Sequence, residues 1–259
     1  MKKRTWKTVL WVVLIVVTVG VLDLFLGNPI SWGIVSLHSR YYLNTHYPEQ
    51  NLYVEEIYYD WYNGGGYDVT AASKTSRDTR FPLSYNRLGF LEWDGYDFTV
   101  ASGRQTLSRI HEEYSRLVND ALESLEIDMA CLPGLSAVDE YTGKAYPLAE
   151  GIDMRTLELD REYDVKSLGA KYGYLSISMY VVPEDLTVNY AAKQLSRIKK
   201  ALDEQQIGLV FVDIFLSVRE SKDAYESLGI NGITIFDLES EDLAARLEQM
   251  RLEQLDDWK

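Results

Sequence analysis

From Thr8 to Leu22 the chain carries no charged side chain, and Lys2, Lys3, Arg4 and Lys7 stand immediately before it. Asp23 interrupts the run and Leu24, Phe25 and Leu26 extend it. As a helix, residues 8–26 would measure roughly 28 Å at about 1.5 Å per residue, close to the ~30 Å hydrocarbon core of a bilayer. Trp6 and Trp11 suit the near interface, where amphipathic rings collect, and Asp23 falls near the far one. A signal peptidase needs small residues after the apolar run, and Val21 to Gly27 offers no such pair. The sequence expectation is therefore a signal-anchor: one transmembrane helix over residues 8–26 with the lipid bilayer as its partner. A cleaved signal peptide and a buried soluble helix are the weaker alternatives. With four cations before Thr8 and the next at Arg40, a single-pass protein in the cell membrane would keep its N-terminus cytoplasmic and its body extracytoplasmic.

The 40 acidic residues exceed the 26 basic ones by 14, giving a net charge of −14. The first seven residues carry +4, so the remainder carries −18. A body that acidic is repelled by phosphate backbones, so no nucleic acid is expected as a partner. Cys131 is the only cysteine, which excludes an internal disulfide framework and fits a small buried hydrophobe.

Hydrophobic periodicity predicts an α+β fold in two small units after the anchor. Gly27, Asn28 and Pro29 break the anchor. Ile30, Ile34, Leu37 and Tyr41 then recur at three- and four-residue spacing, which predicts a short amphipathic helix ending at Pro48. Residues 51–61 and 67–73 read as a hairpin around Asn63 to Gly66, with 81–85 and 96–101 as further strands. Residues 103–125 read as a helix, with Leu107, Ile110, Tyr114, Leu117, Ala121 and Leu125 on one face. Residues 128–151 hold three glycines and two prolines without a clear period, which makes them the expected boundary. Strands are predicted at 156–163, 172–182, 207–218 and 230–236, with helices from Pro183 to Glu204 and from Leu238 to Asp257. The expected domains are the basic flank and anchor over 1–29, a helix–strands–helix unit over 30–130, and a strand–strand–helix–strand–strand–helix unit over 131–259.

One family shares these features. The basic start, the apolar span, Gly27-Asn28-Pro29-Ile30-Ser31, a helix with Tyr41-Tyr42-Leu43 and the ending Tyr47-Pro48 resemble the YfjL-like proteins of Gram-positive bacteria. The likeness continues through Tyr58-Tyr59 and the turn at Gly65 to Tyr67, and Asp78 and Phe81 fall where that family places its Asp and Phe. The resemblance implies an uncharacterised membrane-anchored surface protein and supplies no catalytic residue. The order anchor, helix, strands is also similar to that of PepSY-like modules, as an analogy of fold alone.

Motifs with chemistry are sparse. Ser196 to Lys199 matches S-x-x-K, Ser84 to Asn86 matches S-x-N, and Lys74 to Ser76 approximates K-T-G. However, Ser196 falls mid-helix, away from the helix N-terminus where a lysine one turn on would take its proton, and the three elements run in reverse order. Gly134-Leu135-Ser136 lacks the second glycine of a nucleophile elbow. His38, His46 and His111 form no metal-binding pair, and His38 and His111 are expected on helix faces as ordinary polar positions. Asp94 with Asp97, and Glu239 to Asp242, lack the ligand spacing of a calcium loop. Hence no catalytic residue, cofactor or metal is expected. The one candidate site is an interaction surface on the first strand, where strict alternation places Tyr53, Tyr59 and Trp61 on one face; a half-buried sheet under the helices would show the same pattern, and core packing is the favoured reading of it. The resulting expectation is a non-catalytic, membrane-tethered, extracytoplasmic interaction or regulatory protein with an unknown protein partner. The alternatives are an accessory subunit of a membrane complex or a surface hydrolase using scattered carboxylates.

Overall fold

The computed structural model describes residues 6, 9–15, 17–18, 27–62, 65–138, 142–145, 150–219 and 225–256. Of the expected membrane span, residues 8, 16 and 19–26 lie outside these. Among the described residues no helix is long and apolar enough to cross a membrane. The described helical residues there are 6, 9–15 and 17–18. The transmembrane, single-pass, signal-anchor part of the expected architecture is corrected accordingly. The α+β part is what the structure shows.

Packing divides the chain into two units, residues 1–106 with 157–160 and residues 107–156 with 161–259. The first unit is a helix laid on a four-stranded antiparallel meander. Helix α1 (Pro29–His46) starts where Asn28 caps it, its Oδ1 accepting the Ile30 N–H at 2.8 Å, with Pro29 in the first turn. Strands β1 (Leu52–Asp60), β2 (Gly66–Ser73), β3 (Arg80–Tyr85) and β4 (Leu91–Asp94) follow in spatial order. The register pairs Tyr67 with Tyr85, Val69 with Leu83 and Ala71 with Phe81. All six point into the core with Val35 and Leu43 of α1. Residues 157–160 return to this unit through reciprocal bonds: Asp160 N–H to Asp78 Oδ2 at 2.9 Å and Asp78 N–H to Asp160 Oδ1 at 3.1 Å. Each carboxylate thus accepts a backbone donor from the other residue. That satisfies Asp78, which is fully buried.

The predicted strand at 96–101 is a π-helical turn, Asp97–Ala101. Its Thr-Val pair carries β propensity. The local bonds decide otherwise: Asp94 Oδ1 accepts the Tyr96 N–H at 2.8 Å, and the Thr99 hydroxyl donates to the Gly95 carbonyl at 2.7 Å. The strand forms earlier, as β4, in what reads from sequence as a loop.

The second unit begins in helix α2 (Arg104–Glu123) and contains β5 (Ala130–Leu135), α3 (Val165–Tyr172), β6 (Gly173–Tyr180), α4 (Val188–Glu204), β7 (Phe211–Arg219), β8 (Tyr225–Thr234), α5 (Ile235–Leu238) and α6 (Leu243–Asp256). The sheet order is β5-β6-β7-β8. β6 and β7 run parallel, joined by α4, and the outer pairs are antiparallel. Leu175, Ile177 and Met179 of β6 stand beside Val212, Ile214 and Leu216 of β7 in the core. β5 falls inside the stretch read as aperiodic. Its Pro133 is tolerated because β5 is an edge strand, where a missing N–H costs no ladder bond. The expected strand at 156–163 does not form. A 3₁₀ turn (Met154–Thr156) precedes that stretch, 157–163 are irregular, and helix α3, capped by Asp164, follows.

Helix α2 buries Ile110, Tyr114, Val118 and Leu122, a stripe rotated slightly from the predicted one. Tyr114 is the largest of these, and its hydroxyl donates to the Gly208 carbonyl at 3.0 Å. A Cβ at Gly169 would lie 2.3 Å from Tyr114 Cε2, and one at Gly173 would lie 2.4 Å from its hydroxyl. His111, one turn earlier, is not an ordinary surface position. It is half-buried, and its Nδ1 accepts the Leu135 N–H at 3.3 Å, tying α2 to β5.

Two outcomes follow from this packing. Gly169→Ala is expected to destabilise the protein by about 1–3 kcal/mol, as overpacking of a filled core does. Gly33→Ala, mid-helix in α1 with nothing within 4 Å of its Cβ, is expected to stabilise by roughly 0.5–1 kcal/mol. Urea melts of the two variants check both, and equal effects would refute the Tyr114 argument. Burial holds the His111 pKa below its ordinary value of 6.5. The unfolded chain therefore takes up this proton at a higher pH than the folded one, so stability is full above about 6.5 and declines as pH falls from there. The urea midpoint should drop between pH 7 and 5.5, and His111→Gln should flatten that part of the profile.

Candidate interaction surface

The sequence places Tyr53, Tyr59 and Trp61 on one face of β1, and the structure separates them. A bulge between Val54 and Glu56 adds a residue to the strand and reverses the alternation beyond it. Leu52 and Val54 face the core before the bulge; Ile57 and Tyr59 face it after. Tyr59 is held against the Tyr67 ring at 5.2 Å between centroids, and glycine at 27 and 65 leaves room for it. Tyr53 lies on the opposite face and is exposed, as are Tyr58 and, beyond the strand, Trp61. Tyr59 is therefore a packing residue.

The outer sheet face carries a row that crosses all four strands: Tyr58, Asp68, Ser84 and Trp93 are register neighbours. Ser84 donates to Asp68 Oδ1 at 2.9 Å, and Tyr58 and Trp93 are exposed at the two ends.

The larger apolar surface lies on α1. Ile30, Ile34, Leu37 and Tyr41 form the apolar stripe that the spacing predicts, and they are 73%, 46%, 71% and 69% exposed. The face against the sheet is Val35, Ser36, Ser39 and Leu43. Ser39 meets its hydrogen-bonding need inside the helix, donating to the Val35 carbonyl at 2.6 Å. Its small side chain then lets the helix approach the sheet. The loop 86–90 continues the apolar surface. Asn86 Oδ1 accepts the N–H groups of Leu88 and Phe90 at 3.0 Å, and Gly89 turns at φ +86°. A Cβ on Gly89 would strike Ile34 at 2.8 Å, so the loop crosses α1 there, with Leu88 and Phe90 exposed beside it. Periodicity alone finds this stripe but cannot say which way it points.

The far end of α1 is pinned by one carboxylate. The Tyr42 and Tyr47 hydroxyls both donate to Asp94 Oδ2 at 2.8 Å. Burial, then the bond to Asp94, pushes the Tyr42 phenol up to about 12 and Tyr47 higher still. Both phenols stay protonated at neutral pH, so they act as donors and as neither bases nor nucleophiles.

The other motifs resolve into local structure. The Ser196 hydroxyl donates to the Ala192 carbonyl of its own helix, and Lys199 pairs with Asp203 at 2.6 Å. Ser136 is buried within a backbone ladder, accepting the Ile152 N–H. Asp242 accepts the Ala245 N–H at the start of α6. Burial raises the Cys131 thiol to about 11, away from thiolate chemistry. Among the described residues no group of three or more His, Cys, Asp or Glu is placed to hold a metal ion.

Comparison with known proteins supplies the family. No curated protein matches the chain. Among solved structures, a DUF5037 family protein from Ruminococcus gnavus ATCC 29149 aligns over 83% of this chain and 99% of its own, at 12% identity and a TM-score of 0.25. A similarity of that size carries no argument about fold or function. Residues 1–95 match the model described as "YfjL-like, N-terminal domain", and residues 113–248 match "YfjL-like C-terminal domain". These two matches stand in tandem over most of the chain, which therefore belongs to the YfjL-like family.

Proposed function

We propose that this protein is a non-catalytic interaction protein whose N-terminal unit docks another protein through the outward stripe of α1 and the adjoining loop 86–90. The inverted amphipathicity of α1 carries the reading. Small serines face the sheet while Ile30, Ile34, Leu37 and Tyr41 face out, an arrangement that leaves a contiguous apolar surface in water. Surfaces of that kind on soluble domains mark interaction sites. Ile34, Leu37 and Tyr41 recur at the spacing by which a helix lies in an apolar groove. With the chain at −14, the groove that suits it is apolar at its centre and basic at its rim.

A photo-crosslinking amino acid at Leu37 tests this in cells. It should give a discrete adduct with a second protein, absent when the crosslinker is placed at Phe236, which is 81% exposed. Ile34→Glu should remove the adduct while changing stability by less than about 1 kcal/mol, since the side chain is half exposed. The same adducts at both positions, or adducts only between copies of this chain, would refute the reading.

A further inference from the structure

The second unit holds an apolar pocket that the interaction surface does not use. Its volume is about 300 Å³, and Leu195, Ile198, Leu202, Leu209, Val212 and Leu238 form its walls. All six are less than a tenth exposed. Ala170 and Gly208 close one side, packed so tightly that a Cβ on Gly208 would lie 2.7 Å from the Ala170 Cβ. The mouth differs in chemistry. Lys199, Asp203 and Glu239 stand together there, with the Lys199 ammonium 2.6 Å from Asp203 Oδ2 and 3.8 Å from Glu239 Oε1.

The charge at that mouth is not balanced: two carboxylates face one ammonium. Asp203 is close enough to accept a strong, charge-assisted bond from Lys199. Glu239, at 3.8 Å, is beyond hydrogen-bonding range and keeps its acceptors available. An apolar cavity of about 150 Å³ accepts benzene, so twice that volume suits a bicyclic or phenylalkyl body. Pockets that bind small molecules share this plan, an apolar lining with a few polar groups that fix orientation.

We infer that the C-terminal unit binds a small hydrophobic amine, its apolar body in the pocket and its ammonium on Glu239. Lys199 has two effects. It neutralises Asp203 and so keeps the mouth from being doubly negative. It also stands where a carboxylate-headed ligand would have to compete with Asp203 for the same ammonium. The head group is thereby selected by charge and the body by volume. The inference is independent of the surface on α1.

Three probes that share one tail test it on the full chain: 4-phenylbutylamine, 4-phenylbutanol and 4-phenylbutyrate. Calorimetry and methyl NMR should show saturable binding of the amine, with shifts at Leu195, Ile198 and Leu202, and binding of the alcohol at least several-fold weaker. The carboxylate should bind weakest. Glu239→Gln, an exposed position that leaves the fold intact, should weaken the amine about tenfold and leave the alcohol unchanged. Leu202→Phe, which fills the pocket, should abolish binding of both. If that variant does not fold, the Glu239→Gln comparison alone decides. Carboxylate binding tighter than the amine would overturn the assignment, as would the same amine affinity in Glu239→Gln, or no binding of any probe at millimolar concentration.

Discussion

The second unit depends on how the Tyr114 ring is accommodated. A fully buried tyrosine brings a large apolar body and one hydroxyl that must find a partner. Here the ring fits because residues 169 and 173 have no side chain, and the hydroxyl reaches the carbonyl of a third glycine, Gly208. Burial raises the phenol well above its ordinary range, so it remains a donor. Consequences spread from that bond. It fixes the turn before β7, which brings Ile207 and Leu209 to the pocket and presses Gly208 against Ala170 of α3. The pocket wall is therefore set by α2, an element that does not line it.

The first unit turns on a different compromise. α1 could have buried Ile30, Ile34 and Leu37, and transfer free energy alone favours that by roughly 1.5–3 kcal/mol for each large side chain. Other constraints fix the helix the other way round. Asn28 accepts at the N-terminus of α1 and also exchanges bonds with the Tyr67 hydroxyl, while Tyr42 and Tyr47 bond Asp94 at the C-terminal end. Those contacts set the rotation of α1 about its own axis. Ser36 and Ser39 then face a sheet whose core positions are already filled by Tyr67, Phe81 and Tyr85. Large rings on the sheet leave space only for small side chains on the helix, and the apolar stripe is left to solvent.

What could be read in advance follows from this. Long, strongly periodic elements were legible: α2 and α4, the β1–β2 hairpin, β6 and β7 lie close to where the spacing of apolar residues puts them. Elements governed by local hydrogen bonds were not. The π-helical turn at 97–101 carries strand-forming residues, and β5 hides behind Pro133 and Gly134, whose edge position is a property of the whole sheet. The aromatic face of β1 was misassigned by a single inserted residue, because side-chain alternation has no tolerance for a bulge. The direction in which the α1 stripe points is a tertiary fact. Periodicity measures only that one face is apolar, and a buried face and an interface leave the same trace in sequence. The pocket was least legible of all, since its parts come from α3, α4, α5, β7 and the turn before β7.

The acidity of the chain, which in sequence serves only to exclude phosphate-bearing partners, acquires a positive role beside the pocket. A net charge of −14 produces a field that raises the local concentration of small cations and lowers that of anions. At physiological ionic strength that field is screened beyond about 8 Å, so the general surplus serves encounter and the mouth itself serves selection. The pair Asp203–Lys199 contributes little to either, because its charges cancel. Glu239 is the residue through which the excess reaches the pocket. A binding site of this construction would lose affinity with added salt for a charged amine and keep it for a neutral ligand of the same shape, which separates the charge at the rim from the hydrophobic wall by a single experimental variable.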